Sequence, residues 1–196
     1  MEEEIKSIVK VSKYVFERGL VSGKAGNISA RFKDENGSDV VGITPTLKSL
    51  NDTNEEDIVL VDLEGNIISG GKPSSEVNMH LEIYKQREDI NGIVHTHSPY
   101  ATGFAFSEKR IKRLEGFGKI KTPFFEEIEY EKPGTVELAK KAGNALGKVK
   151  EEDVLVLKKH GILTTAENVE EAGAFAEFVE SIAKTQFISF MLNQWD

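Results

Sequence analysis

The stretch INGIVHTHSPYA, residues 90–101, constrains the fold more than any other part of the sequence. Its run of Ile and Val predicts a buried strand over residues 90–97. Alternate side chains of a strand lie on the same face, so Ile93, His95 and His97 point to one side of the sheet. The fold must therefore place two imidazoles together on one face of a buried strand, close enough to hold a single ion.

The rest of the chain alternates between helical and strand-like segments. Apolar spacing and capping residues predict helices over residues 3–18, about 75–87, 99–106, 135–146 and 168–192. Strand patterns cover residues 27–32 and 39–44, a hairpin over 57–70, part of 118–130, and 153–160, a strand that ends at His160. We therefore expect one α/β domain over residues 1–196, with a central, mostly antiparallel sheet flanked by helices.

The composition narrows the classes of ligand and partner. The chain of 196 residues has no cysteine, so a transition-metal site must be built from histidine and carboxylate ligands. A net charge of −8 argues against a nucleic-acid partner. The acidic start MEEEIKSIVK differs from a signal peptide, and no apolar run approaches membrane-spanning length. We expect a cytoplasmic protein without a nucleic-acid or membrane partner.

His160 can complete a metal site with His95 and His97. It ends the predicted strand 153–160, and Gly161 after it permits a tight turn. Three histidines with an open fourth position are typical of catalytic zinc, although a histidine-only set also suits other divalent first-row ions. The alternative is an ordinary strand-end histidine that is hydrogen-bonded to solvent.

The segment GKPSSEVNMH, residues 71–80, begins a predicted helix with two serines and a carboxylate. Free N–H groups at a helix N-terminus bind anions, and the hydroxyls of Ser74 and Ser75 add donors. Alternatively, one of the serines merely caps the helix, with Glu76 in its first turn. His80 lies four residues after Glu76 and is a rival metal ligand, but packing against the helix explains it better.

Two further loops are rich in hydrogen-bond donors. In SGKAGNIS, residues 22–29, Gly23 and Gly26 permit close backbone approach to a ligand, but the spacing of a nucleotide-binding loop is absent. GITPT, residues 42–46, adds threonine hydroxyls. Each loop by itself is also compatible with an ordinary turn.

In order along the chain, the motifs GKAGNIS, ITPT, GKPSSEVNMH, IVHTHS and KKHGILT resemble those of the class II aldolase and adducin head family over residues 5–190. The resemblance implies a zinc ion held by His95, His97 and His160. It implies that Glu76 is the catalytic carboxylate and can also approach the metal.

The same resemblance implies that Asn27, Thr46, Ser74 and Ser75 bind a substrate phosphate. Lys24 stands where a relative has a small hydroxyl residue, so it can strengthen this binding, and Leu47 replaces a glycine. A homotetramer with active sites between subunits is implied, with Tyr130 as the candidate proton donor from a neighbouring subunit. No Schiff-base lysine is needed, so Lys158 and Lys159 are interpreted as solvated or steering charges.

The reaction implied is zinc-dependent cleavage of a ketose 1-phosphate, with L-fuculose 1-phosphate as the first candidate. The products would be dihydroxyacetone phosphate and a small aldehyde, formed through a metal-stabilised enediolate. Ribulose-5-phosphate 4-epimerase and methylthioribulose-1-phosphate dehydratase are the alternatives on the same scaffold. A non-catalytic adducin-like scaffold is disfavoured by the complete set of histidines with Glu76. A metal-storage or sensor protein is disfavoured because storage needs no paired serines beside a carboxylate.

Overall fold

The computed structural model describes residues 1–114, 122–148 and 153–194, and of Lys148 only the backbone. Its strands are β1 (Asn27–Lys33), β2 (Asp39–Ile43), β3 (Val59–Val61), β4 (Ile67–Ser69), β5 (Gly92–Thr96), β6 (Glu126–Ile128), β7 (Val154–Leu157) and β8 (Gly161–Ala166). Its helices are α1 (Glu2–Glu17), α2 (Val77–Gln86), α3 (Pro99–Ala105), α4 (Val136–Lys148) and α5 (Val169–Leu192).

In these described ranges the strands form one eight-stranded sheet in the order β4-β3-β2-β1-β5-β8-β7-β6. Neighbouring strands pair antiparallel, except that β6 and β7 pair parallel. The predicted α/β fold with a mostly antiparallel sheet is therefore confirmed. None of the described helices is both long and apolar enough to cross a membrane.

Helices cover both faces of the sheet. Ile28 and Val94 point to one face and pack with buried side chains of α1 and α5. Ile93 and Leu163 point to the other face and pack with α2 and α4. α3 packs on α5 and on apolar side chains of β7 and β8. Because His95 lies two residues after Ile93 on β5, it points to the face covered by α2.

The prediction of one strand ending at His160 is wrong. β7 ends at Leu157, and a tight turn leads into β8, which the sequence analysis did not predict. β8 lies between β5 and β7 and is buried along its whole length. His160 therefore lies in a hairpin turn, where it is 7% exposed and not a solvent-facing strand end.

The predicted start of the second helix is also wrong. α2 begins at Val77, and the N-cap residue is Glu76, whose side chain makes no capping hydrogen bond. Ser74 Oγ instead accepts a hydrogen bond from the Glu76 N–H at 3.3 Å. Because the Glu76 carboxylate is not used as a cap, it is available to contact other groups.

The predicted N-caps are confirmed at the starts of α4 and α5. Thr135 Oγ1 accepts from the Leu138 N–H, and Asn168 Oδ1 accepts from the Glu171 N–H, as the predicted caps require.

The strand predicted within 118–130 is present as β6, and the part of that prediction at residues 118–121 lies outside the described residues.

Candidate metal centre and active site

Three histidines from neighbouring strands meet at one end of the sheet. His95 is in β5, His97 follows the end of β5, and His160 immediately precedes β8, the strand paired with β5. Their ring centroids are 4.7–5.0 Å apart, and one potential ligand atom from each lies within 4.8 Å of the others. The pairing of β5 with β8 therefore brings together residues that are 63 or more positions apart in the sequence.

Gly161 permits this approach by its lack of a side chain. A Cβ atom there would lie 2.4 Å from the Thr96 carbonyl oxygen and 3.1 Å from Cδ2 of His97. The left-handed conformation of the turn is instead adopted by Lys159, with φ of 57°. The tight turn is thus made without Gly161, and the glycine provides room for β5 and the His97 ring.

All three imidazoles are set up as neutral ligands. The pKa of His95 is lowered to about 3, mainly by burial and next by electrostatic repulsion from His97. Burial also lowers the pKa of His97 and lowers that of His160 to about 4. The His95 Nδ1–H donates to the Ile162 carbonyl oxygen at 2.8 Å, which leaves the lone pair on Nε2. That nitrogen is 3.0 Å from Nε2 of His97.

Glu76 faces the histidines from the start of α2. Its Oε2 is 3.3 Å from Nε2 of His95, and its Oε1 is 3.5 Å from Nε2 of His160. Among the described residues, Glu76 Oε1 and His160 Nδ1 are buried without a hydrogen-bond partner. A carboxylate beside imidazole lone pairs is an electronegative cluster that a cation would stabilise.

The spacing of these atoms fits a divalent metal. Nitrogen ligands about 2.0–2.1 Å from a tetrahedral zinc ion are separated by about 3.3 Å from one another. The separations of 3.0 Å, 3.3 Å and 3.5 Å in the cluster are close to that value. Three neutral imidazoles, two buried and one half-buried, and an adjacent carboxylate can therefore hold a metal ion, with Glu76 also able to exchange a proton.

Asn27 hydrogen-bonds to Glu76 and is itself hydrogen-bonded to His80. Asn27 Nδ2 donates to Glu76 Oε2 at 2.9 Å, and Asn27 Oδ1 is 2.6 Å from His80 Nε2. Ser29 Oγ is 2.7 Å from the other ring nitrogen of His80. Both nitrogens of His80 are therefore engaged, and neither is free for a metal.

Ser29 and Tyr84 also belong to this network, although neither was predicted from the sequence as a site residue. Tyr84 OH lies 2.8 Å from Ser29 Oγ. A usable signal was present in NISARF, where polar side chains at 27, 29 and 31 alternate with apolar ones in a buried strand.

The segments predicted to bind phosphate lie side by side. The Thr44 N–H donates to the Ile28 carbonyl oxygen, and the Ile28 N–H donates to Thr44 Oγ1. The Ser74 N–H donates to the Thr44 carbonyl oxygen, and the Thr46 N–H donates to the Lys72 carbonyl oxygen. Asn27, Thr46, Ser74 and Ser75 are thus carried by adjacent segments. Ser75 is exposed, Thr46 is half-buried, and Ser74 is buried.

The remaining predicted residues lie outside the histidine cluster. Lys24 is exposed in the turn that precedes β1. Tyr130 is also exposed, and within the described ranges it makes no hydrogen bond in this single chain. Lys158 donates to the Ser107 carbonyl oxygen, whereas Lys159 is exposed.

Comparison with known proteins points to the same family. The family described as Class II Aldolase and Adducin N-terminal domain matches residues 6–187. The chain is 40% identical to the L-fuculose phosphate aldolase of Methanococcus vannielii, over 94% of this chain and 96% of that protein. It is 37% identical to the 5-deoxy-D-ribulose 1-phosphate aldolase of Bacillus thuringiensis, over 95% and 85% of the two chains.

Relatives with a different reaction are also similar. The 3-oxo-tetronate 4-phosphate decarboxylase of Haemophilus influenzae is 30% identical, over 92% of this chain and 85% of that protein.

Among solved structures, an L-fuculose 1-phosphate aldolase superposes with a TM-score of 0.85 at 31% identity, covering 98% of this chain and 88% of that one. The chain therefore belongs to the class II aldolase and adducin family and is a lyase of that family.

Proposed function

We propose that this enzyme is a zinc-dependent aldolase that cleaves a ketose 1-phosphate, L-fuculose 1-phosphate or a close analogue. The products are dihydroxyacetone phosphate and a small aldehyde. The observation that carries the proposal is Glu76, a buried carboxylate with one unpartnered oxygen that lies against two members of a cluster of three neutral imidazoles. The relatives named L-fuculose 1-phosphate aldolase and 5-deoxy-D-ribulose 1-phosphate aldolase support the choice of substrate class.

The metal would be held by His95, His97 and His160, with Glu76 able to approach it when substrate is absent. When bound, the ion supplies Lewis-acid stabilisation of the negative charge that develops on the ketose oxygens. Zinc is the first choice because three neutral imidazoles and one open position are typical of catalytic zinc. Another divalent first-row ion would suit the same nitrogens.

Glu76 is the proposed acid and base at C3 of the substrate. Breaking the C3–C4 bond leaves its electron pair in the enediolate of dihydroxyacetone phosphate, and protonated Glu76 returns a proton to C3. In the aldol direction the Glu76 carboxylate removes that proton. The C4 hydroxyl loses its proton as it becomes the aldehyde carbonyl, and Tyr130 of a neighbouring subunit is proposed to exchange this proton.

The substrate phosphate is proposed to bind Thr46, Ser74 and Ser75, with Lys24 adding a positive charge. The three segments that carry Asn27, Thr46 and the serines are joined by hydrogen bonds, which supports a shared site. Asn27 can contribute one N–H, because its other hydrogen-bonding groups contact Glu76 and His80.

We infer that the active unit is a homotetramer. The last two turns of α5 expose large apolar side chains at Phe187, Ile188, Phe190, Met191 and Leu192, an arrangement that favours a buried contact with another subunit. Tyr130 is exposed in the single chain, so it is accessible to a neighbouring subunit. Sedimentation equilibrium of the purified enzyme should give four times the mass of the chain.

The proposed reaction is tested by measuring release of dihydroxyacetone phosphate from a panel of ketose 1-phosphates. We expect release with zinc present, loss of release after chelation, and recovery when zinc is restored. The ranking of the panel identifies the preferred aldehyde product. The Glu76→Gln variant should keep stoichiometric zinc and lose turnover, because an amide cannot carry the C3 proton.

Absence of release from every panel member, with zinc bound, would contradict the aldolase proposal. Inversion at C4 of ribulose 5-phosphate would then indicate an epimerase, and loss of water from methylthioribulose 1-phosphate a dehydratase. Release of carbon dioxide from 3-oxo-tetronate 4-phosphate would indicate a decarboxylase, the reaction named for one relative. Near-normal turnover by Glu76→Gln would exclude Glu76 as the acid and base.

A further inference from the structure

A buried polar ladder joins β1 to α2 beneath the histidine cluster. It consists of Asn27, Ser29 and Arg31 on the strand and Glu76, His80 and Tyr84 along the helix. All six side chains are less than 9% exposed. Each strand member contacts the helix members beside it, so that Asn27 touches Glu76 and His80, and Ser29 touches His80 and Tyr84.

The ladder forms because two repeats match. Every second residue of a strand advances by about 6.6 Å, and every fourth residue of an α-helix advances by about 6 Å. Positions 27, 29 and 31 therefore stay beside positions 76, 80 and 84 when β1 and α2 run side by side. Arg31 ends the ladder: it donates to the Tyr84 carbonyl oxygen in α2 and to the Arg87, Glu88 and Ile90 carbonyl oxygens just after the helix.

Chemistry determines the direction of each hydrogen bond in the ladder. An ionised Glu76 can only accept, so the Asn27 amide must present Nδ2 to it and Oδ1 to His80. His80 must then carry its proton on Nε2, which leaves Nδ1 to accept from the Ser29 hydroxyl. Tyr84 OH in turn donates to Ser29. Burial lowers the pKa of His80 to about 3, consistent with a neutral ring.

We propose that His80 is a positioning residue that fixes the Asn27 amide and, through it, the Glu76 carboxylate. The Nε2–H of His80 stops the amide from rotating by half a turn and presenting its oxygen to the carboxylate. Glu76 Oε2 is thereby held by Asn27, and Oε1 is left free beside His160. This role rests on the proposed function of Glu76 and extends it to a residue that touches neither metal nor substrate.

The kinetic test compares three variants of the zinc-loaded enzyme. His80→Phe keeps a ring of similar size without a donor, and His80→Gln keeps a donor near the place of Nε2. Met79→Leu is the matched control, because it is the adjacent buried residue of α2 and conserves volume. We expect kcat of His80→Phe to fall by about tenfold to a hundredfold, the range typical of groups that orient an active-site residue.

Zinc content should stay close to that of the unaltered enzyme in His80→Phe, because the three histidines of the cluster are untouched. KM should change less than kcat, because Thr46, Ser74 and Ser75 are untouched and Asn27 offers the phosphate only one N–H. His80→Gln should recover most of the lost kcat, and Met79→Leu should lose none. An equal loss in the Phe and Gln variants, or loss of zinc from either, would overturn the proposal and assign His80 a purely structural role.

A second measurement needs no variant to be active. Long-range ¹H–¹⁵N NMR of the zinc-loaded protein reports which nitrogen of His80 carries the proton, with His80→Gln identifying the resonance. We expect the Nε2–H form throughout the neutral pH range, and protonation at Nδ1 would overturn the proposal. If the panel shows no aldolase activity while His80 has the Nε2–H form, the proposed function fails and the positioning role does not.

Discussion

At the scale of single residues, the orientation of a polar side chain in the site is set by the hydrogen bond that it makes to a supporting group. The Ile162 carbonyl oxygen takes the Nδ1–H of His95 and so turns the Nε2 lone pair towards His97 and Glu76. Fixing the tautomer through a backbone oxygen is a common way to orient metal-binding histidines. The same logic applies to Glu76, whose Oε2 is held by Asn27.

His95→Ala should remove metal and activity together. The substitution deletes the central member of the triad, and we expect the zinc affinity to fall by more than about a hundredfold, beyond the effect typical of a supporting partner. Competition with a chelating indicator measures this affinity in the purified protein. Thr96→Val is the control, since Thr96 is buried between the two ligands and its hydroxyl makes no hydrogen bond within the described ranges. Retention of normal zinc affinity by His95→Ala would exclude His95 as a ligand.

At the scale of elements, the start of α5 is docked directly on the start of β5. A Cβ atom on Gly92 would lie 2.2–2.3 Å from backbone atoms of Asn168 and Val169. The backbone cannot move aside without separating the helix from the strand that carries His95. Gly103 in α3 offers a contrast, because nothing lies within 4 Å of a Cβ atom there.

Gly92→Ala should therefore lower the free energy of unfolding by about 1–3 kcal/mol or more, the cost of overpacking a rigid contact. Gly103→Ala should raise it by up to about 1 kcal/mol, because alanine is favoured over glycine inside a helix. Urea titration of both variants measures the two changes. Equal effects of the two substitutions would contradict the close docking of α5 on β5.

Most elements could be predicted from local signals, and the exceptions have physical reasons. Asn168 and Thr135 cap helices through bonds to residues three positions away, so sequence alone identifies them. β8 was missed because its threonines are buried by pairing with β5, a strand distant in the sequence, which no local pattern encodes. The N-terminus of α2 was misplaced because Ser74 accepts from the Glu76 N–H before the helix begins, and the Glu76 carboxylate contacts Asn27 instead of capping the helix.

At the scale of the whole molecule, the buried histidines make stability depend on pH. Burial lowers the pKa of His80 and His95 to about 3 and that of His160 to about 4. In the unfolded chain these imidazoles titrate near pH 6.5. Between those values the unfolded chain binds more protons than the folded one, so acidification favours unfolding.

The free energy of unfolding of the metal-free protein should be independent of these groups above about pH 6.5 and fall progressively towards pH 4. Each imidazole that charges only on unfolding steepens the slope by up to about 1.4 kcal/mol per pH unit. Urea titrations of chelated protein at a series of pH values measure the slope, and His80→Gln should reduce it. A free energy that does not change across this range would show that the histidines are not buried in neutral form.

The sequence by itself determined which residues could supply a metal site, because His95 and His97 must share a face of their strand and the chain has only four histidines and no cysteine. It also determined the starts of α4 and α5, through the local caps Thr135 and Asn168. Only the tertiary structure decided that His160 meets them and that His80 supports Asn27, because both depend on strand and helix pairing between segments 50 or more residues apart. Local patterns report periodicity, whereas these contacts depend on which elements become neighbours.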